Sequence, residues 1–263
     1  MKKNKLKEIA LKFLSEKQVK PVYISISGAH LYGFPSANSD FDIRCCHIQP
    51  TNDFFHLHKP EQTFEKSFKV DGEEIDIVSH EIEKAIGLAV KNNSNILENL
   101  FAENLFPTIE QEEFSRIAKG LISKQVYHPY HGMAEFNYKK FISSKNPHYR
   151  NTYIKKYLYI LRSYLAGIYA LIYGEIEPNI EKLHEILYKN KFENIKTLIK
   201  LKVKDEYLSD DTALMEIEKP TEELIAKLKS EMEIAFTESK LQENPDTKEI
   251  EEFLYKIRLK NLK

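Results

Sequence analysis

The sequence of 263 residues has no tryptophan and two cysteines, which are neighbours, Cys45 and Cys46. A disulfide between adjacent residues of an expected core strand would be badly strained. Reduced, buried thiols in a cytoplasmic protein are therefore expected. No run of roughly 18 or more apolar residues occurs, and no charged, apolar and small-residue succession opens the chain, so neither a membrane span nor a secretory leader is expected. Net charge is also lacking: 39 Lys and Arg against 40 Asp and Glu leave −1. Bulk electrostatic attraction to nucleic acid is thereby excluded, and any such binding must come from a local patch. There is no internal repeat and no low-complexity tract. With 42% hydrophobic and 30% charged residues, the chain has enough core for one large domain or two modest ones. The abundance of Lys, Ile, Asn and Tyr reads as genome bias rather than function.

What is present is concentrated between Ile24 and Ile48. A β-branched run, Val22 to Ile26, enters Gly28. Gly33, Pro35, Ser36, Asn38 and Ser39 then make a turn-rich loop. The chain leaves it through Asp40-Phe-Asp-Ile-Arg44, alternating polar and apolar as a half-buried strand does. Residues two apart on a strand share a face, so Asp40, Asp42 and Arg44 point one way while Phe41, Ile43 and Cys45 point into the core. Two carboxylates held roughly 7 Å apart along the strand repel unless a cation stands between them, and oxygen donors of this kind suit Mg²⁺. Downstream, Phe64–Val70, Asp71-Gly72 and Glu73–Ser79 read as a β-hairpin with a two-residue turn. Its return strand sets Asp76 between Ile75 and Ile77. If that strand lies beside the Asp-x-Asp strand, Asp76 completes a three-carboxylate cluster.

A glycine, a spacer of about ten residues, Asp-x-Asp and a lone carboxylate on a later strand resemble the pattern of the DNA polymerase β-like nucleotidyltransferase superfamily. The finer likeness is to its YcgL-type branch of predicted nucleotidyltransferases, some associated with RNA-repair ligases. Gly28, His30, Tyr32, Gly33, Ser39, Asp40, Asp42 and Arg44 match that branch's signature. Asn95-Ile-Leu-Glu98 resembles its element after the third carboxylate, and a lysine-rich helix ending in Arg162 looks similar. The likeness covers about residues 20–175. Ala29 departs from it: relatives carry Gly or Ser there, and Ala offers only a backbone N–H to a phosphate.

The resemblance implies an α+β fold, a small mixed β-sheet nucleotidyltransferase domain over 1–125 followed by an all-helical domain over 126–263. It also implies a metal-dependent transfer of a nucleoside monophosphate from an NTP, ATP foremost, to a hydroxyl of an RNA end or a protein side chain, with release of pyrophosphate. Two Mg²⁺ ions, with Mn²⁺ as the alternative, suit that chemistry. Asp40 and Asp42 would bridge the ions, and Asp76 would hold the one that activates the acceptor. Gly28, Ala29, His30 and Ser39 would serve the nucleotide, and Arg44 would brace the carboxylates or reach a phosphate. The alternatives are a non-catalytic nucleotide-binding or antitoxin-like module, favoured by Ala29, and an enzyme modifying a small molecule. Oligomeric state is not legible.

Elsewhere the pattern is structural. Residues 3–18 space Leu6, Ile9, Ala10, Phe13 and Leu14 as an amphipathic helix. His56 and His58 lack a third nitrogen or sulfur ligand nearby, so a surface loop fits better than a zinc site. A helix is expected from Ser79 to about Asn92. Ser94 or Asn95 would cap the next, with Glu98 in a capping box. Residues 110–123 read as another helix, and Val126–Gly132, with its Pro and Gly, as a hinge whose His128 and His131 are candidate contacts. From Phe136 to Gly174 there is no Asp or Glu, while Lys139, Lys140, Lys145, Arg150, Lys155, Lys156 and Arg162 alternate with tyrosines such as Tyr149, Tyr153, Tyr157 and Tyr159. Lys155, Lys156 and Arg162 are therefore candidates for a cationic wall facing the carboxylates and binding triphosphate or RNA. The competing reading is a core helix whose tyrosines pack and whose lysines snorkel. Further helices are expected at about 180–189, 192–203, 221–239 and 247–261, with an acidic connection over 205–218.

Overall fold

The computed structural model describes residues 1–143, 153–204 and 211–262. They form two compact units: Met1–His30, Asp40–Ile122 and Asn244–Lys263 make the first, and Leu31–Ser39 with Ser123–Glu243 the second.

The first unit is built on a four-stranded mixed sheet. Helix α1 (Lys3–Glu16) precedes strand β1 (Lys20–Ile26). A short helix α2 (Gly28–Tyr32) follows where a loop was expected, and strand β2 is Phe41–Ile48, so Asp40 stands just before it. Strands β3 (Thr63–Val70) and β4 (Glu73–Glu81) form the expected hairpin. Asp71 and Gly72 turn it with φ of 53° and 86°, the left-handed pair that a two-residue hairpin requires. The sheet order is β1-β2-β4-β3, with β2 parallel to β4 and both outer pairings antiparallel. Apolar alternation puts Ile24, Phe41, Ile43, Cys45, Ile75 and Ile77 on one face, where Leu6, Ala10, Phe13 and Leu14 of α1 cover them. Cys45 and Cys46 are free and buried.

Strand β4 runs past Ser79, through His80, to Glu81, whose carboxylate accepts from Glu83 N and caps helix α3 (Ile82–Val90). The next helix, α4 (Ser94–Phe101), is capped by Asn93 rather than Ser94 or Asn95, and Glu98 is wholly buried rather than part of a capping box. Thr108 caps α5 (Ile109–Leu121). The last helix, α11 (Lys248–Lys260), belongs to this unit: Phe253 stacks on Phe114, and Arg258 forks onto buried Glu81. The units are thus not the contiguous 1–125 and 126–263 expected: the first also takes Asn244–Lys263 and the second Leu31–Ser39.

The second unit is helical. Residues 127–132 are not a hinge but the start of α6 (Tyr127–Asn137), with Pro129 inside its first turn, where a missing N–H leaves no helical bond unmade. A π-helical turn spans Tyr138–Ser143. Helix α7 (Tyr153–Tyr173) is the core, flanked by α8 (Ile180–Tyr188), α9 (Glu193–Val203) and α10 (Asp211–Glu238). The last of these replaces the later part of the expected acidic connection. Lys145, Tyr149, Arg150 and residues 205–210 lie outside the described residues. No helix among the described residues is long and apolar enough to cross a membrane.

Candidate active site

The central strands carry the site. Parallel pairing sets Asp42 opposite Asp76 in register, and the hairpin sets Ser67 opposite Asp76. Three neighbouring strands therefore present Asp42, Asp76 and Ser67 in one row, with the two aspartate Cα atoms about 4.8 Å apart. Asp40, Asp42, Ser67, Phe68, Lys69 and Asp76 line one cleft of about 410 Å³. The aspartates stay partly open to solvent, with side-chain exposures of 24% for Asp42 and 35% for Asp76.

Arg44 lies between them. Its Nη2 donates to Asp42 Oδ1 at 2.8 Å, and Nη1 stands 3.1 Å from Asp76 Oδ2. Nη1 also donates to the carbonyls of Ile43 (3.1 Å) and Asp76 (3.2 Å). Ser67 Oγ donates to the other Asp76 oxygen, Oδ1, at 2.7 Å. The geometry differs from a closed three-carboxylate cluster: among the described residues no three His, Cys, Asp or Glu side chains are grouped to hold a metal ion, and the Arg44 guanidinium stands between Asp42 and Asp76. The donor set nevertheless fits a hard divalent cation. Asp40, Asp42 and Asp76 would offer it carboxylate oxygens, the donor type such ions take, and all three line one cleft.

Gly28 fits against this row. The ladder closes with Ser27 N donating to Asp42 O at 2.7 Å. Gly28 then turns with φ of 62°, and a Cβ there would lie 1.9 Å from Asp42 Oδ2. A side chain is excluded by both conformation and space. Ala29, itself buried, and His30 occupy the first turn of α2. The His30 ring stacks on Phe41, with centroids 4.4 Å apart.

Other expected site residues lie in the second unit. Ser39 Oγ accepts from Ser36 N at 2.9 Å, closing a turn. Arg162 is 0% exposed and its guanidinium sits 3.8 Å over the Tyr32 ring, so it is not part of a charged surface. Tyr157 is buried, and Tyr159 packs edge-on against Tyr32 and Phe34. This supports the packing reading for that face of α7. Lys155 and Lys156 remain at its rim, with Lys156 Nζ 3.9 Å above the Phe141 ring. Burial, then the charges of Lys155 and Lys140, hold the Lys156 ammonium below the ordinary lysine pKa. His128 and His131 flank Tyr127 on α6, as members of an aromatic cluster with Phe236. His56 and His58 are exposed loop residues.

Ser67 escaped the sequence reading although its signal was there. Once Asp71-Gly72 is a two-residue turn, Val70 pairs with Glu73, and counting outward brings Ser67 to Asp76.

A strand, a glycine with positive φ, and an Asp-x-Asp segment whose second aspartate faces another on the adjacent parallel strand are features of the polymerase β-like nucleotidyltransferase superfamily, to which the chain belongs. More narrowly, the chain belongs to the RNA repair pathway DNA polymerase beta family (RlaP), whose profile matches residues 1–256. It is similar to the uncharacterized protein MJ0002 of Methanocaldococcus jannaschii, at 33% identity over 164 residues, 60% of this chain and 63% of that protein. It is also similar to the uncharacterized protein YcgL of Bacillus subtilis, at 31% identity over 164 residues, 61% of this chain and 60% of that protein. The matched stretch spans about three-fifths of each of these relatives. Among solved structures, a nucleotidyltransferase-like protein from Exiguobacterium sibiricum aligns over 98% of this chain and 80% of its own, at 10% identity and a TM-score of 0.34. That likeness is too loose to bear on function.

Proposed function

We propose that the protein is a divalent-metal-dependent nucleotidyltransferase that moves a nucleoside monophosphate from an NTP, ATP foremost, to the terminal hydroxyl of an RNA. The reading rests above all on the in-register pairing of Asp42 with Asp76 at the open end of two parallel strands, with Asp40 on the same cleft. In the reaction the acceptor oxygen forms a bond to the α-phosphorus, the bond from that phosphorus to the bridging oxygen of the β-phosphate breaks, and pyrophosphate leaves. Asp40, Asp42 and Asp76 would hold Mg²⁺, with Mn²⁺ as the alternative; when bound, the metal supplies charge neutralisation at the phosphates and acidifies the acceptor hydroxyl. Asp76, hydrogen-bonded by Ser67, would receive the acceptor's proton. Gly28 lets backbone approach the phosphates closely, and the N–H groups of Ala29 and His30 provide donors without a side-chain hydroxyl.

RNA as acceptor is supported by the description of the family and by the acid-free segment around α7. There Lys155 and Lys156 sit over aromatic rings, and no carboxylate pairs with either among the described residues. Cations interleaved with aromatics suit a single-stranded backbone and its bases.

The test is incubation with each α-labelled NTP, Mg²⁺ and either RNA or a protein extract. Labelled RNA from wild type, with none from Asp42→Asn at unchanged circular dichroism, is expected. Full activity in Asp42→Asn would remove the assignment. Nucleotide binding without transfer to any acceptor would favour the non-catalytic reading, to which the buried Ala29 points. Charge reversal at Lys155 and Lys156 is expected to weaken RNA binding, and unchanged binding would exclude them from it.

A further inference from the structure

We propose that Arg44 is the resident counter-ion of the Asp42–Asp76 pair and that an entering divalent cation displaces it, so that Arg44 sets the metal concentration at which the site fills. The inference rests on the metal-dependent reading above. Two aspartates in register on adjacent strands would repel each other unless a positive charge stands between them. The chain supplies that charge from within. Arg44 follows Asp42 by two residues on β2, hence on the same face. Its fork meets Asp42 Oδ1 at 2.8 Å and Asp76 Oδ2 at 3.1 Å.

The guanidinium is also fixed by backbone. The carbonyls of Ile43 and Asp76 accept from Nη1 at 3.1 and 3.2 Å, so the charge is placed by the sheet itself and not by a mobile side chain. With Ser67 on Asp76 Oδ1, both oxygens of Asp76 are engaged. Ligation by Asp76 through Oδ2 would set the entering cation against Arg44 Nη1, which stands 3.1 Å from that oxygen. A guanidinium and a dication also repel each other at such separations. Arg44 thus stabilises the metal-free carboxylates and competes with the metal for them.

Mn²⁺ alone is titrated calorimetrically into the full chain as wild type, Arg44→Gln and Arg44→Lys. Breaking a charge-assisted contact is worth about a factor of ten, so Arg44→Gln is expected to bind Mn²⁺ about tenfold tighter than wild type, with Arg44→Lys between the two. Without metal, Arg44→Gln should melt at a lower temperature than wild type, and saturating Mn²⁺ should close the gap. In wild type itself, Mg²⁺ should shift the Arg44 Nε–Hε nuclear magnetic resonance signal, identified by its absence in Arg44→Lys. Equal or weaker Mn²⁺ binding by Arg44→Gln would overturn the inference, as would wild type binding metal with the Arg44 signal unmoved; both leave the metal-dependent reading standing. Absence of Mn²⁺ binding in wild type and variants alike would instead remove that reading, and this inference with it.

Discussion

Replacing Arg258 by alanine should be among the most damaging single changes to the first unit. Glu81 is 0% exposed and Arg258 15% exposed, and the guanidinium forks onto both Glu81 oxygens at 2.8 Å. A third contact, 2.9 Å to Glu83, ends on a side chain that is 49% exposed, so it adds little. The guanidinium also lies 4.0 Å from the Phe54 ring centroid. Removing the arginine leaves a buried carboxylate without this counter-ion, a situation that costs about 3–5 kcal/mol. A domain stable by about 5–15 kcal/mol would lose a large share of that margin. Glu81→Gln should cost less, about 1–3 kcal/mol, because the amide oxygen can still accept from Glu83 N as the cap does. The Arg258→Ala/Glu81→Gln double variant should be more stable than the sum of the single losses implies, since the buried charge has gone. Urea unfolding followed by far-ultraviolet circular dichroism gives the midpoints, tryptophan being absent. A loss under about 1 kcal/mol for Arg258→Ala, or additivity within about 0.5 kcal/mol, would refute the reasoning.

Three further outcomes are expected. Gly28→Ala, whose Cβ would meet Asp42 Oδ2 at 1.9 Å, should lower nucleotidyl transfer by about a hundredfold or more while circular dichroism stays unchanged; a variant within threefold of wild type would contradict the close approach. Ser67→Ala frees Asp76 Oδ1 from its 2.7 Å hydrogen bond and should lower kcat by about tenfold, read by pyrophosphate release, with no change expected if Ser67 were merely solvated. Burial, then neighbouring His80, lowers the His47 pKa to about 3, and burial, then Lys84 and Arg44, lowers His80 to about 4. The unfolded chain takes up these protons near pH 6.5 while the native chain does not, so stability is full above that value. It should fall as pH drops from 6.5 towards 4, by about 1.4 kcal/mol per pH unit for each histidine. Urea midpoints across this window should lose about half their slope in His47→Asn, since His80 remains, and a midpoint already flat in wild type would count against the buried neutral histidines.

Local order was legible wherever a short-range rule acts alone. The apolar spacing of Leu6, Ala10, Phe13 and Leu14 gave α1, and Asp71-Gly72 gave the hairpin with its register. Boundaries failed where a strand and a helix abut without a turn residue. Ser79 looks like a helix cap, but its backbone pairs with Cys45 and Phe64, and the cap passes to Glu81. Proline and glycine in 126–132 suggested a hinge, yet Pro129 lies where a helix tolerates it. The acid-free stretch around Arg162 fits both a cationic wall and a core helix; burial against Tyr32, a partner distant in sequence, favours the core helix for Arg162.

The sequence by itself determined the glycine turn, the alternation that sets Asp42 and Arg44 on one face, and the aspartate between two isoleucines, because strand pleat and turn chemistry act within a few residues. Only the tertiary structure decided that β2 and β4 lie side by side with Asp42 opposite Asp76, that Arg44 spans them, and that the chain's last helix returns to neutralise Glu81. Parallel pairing and buried ion pairs join residues far apart along the chain. Their register follows from how whole elements pack, which no local pattern encodes.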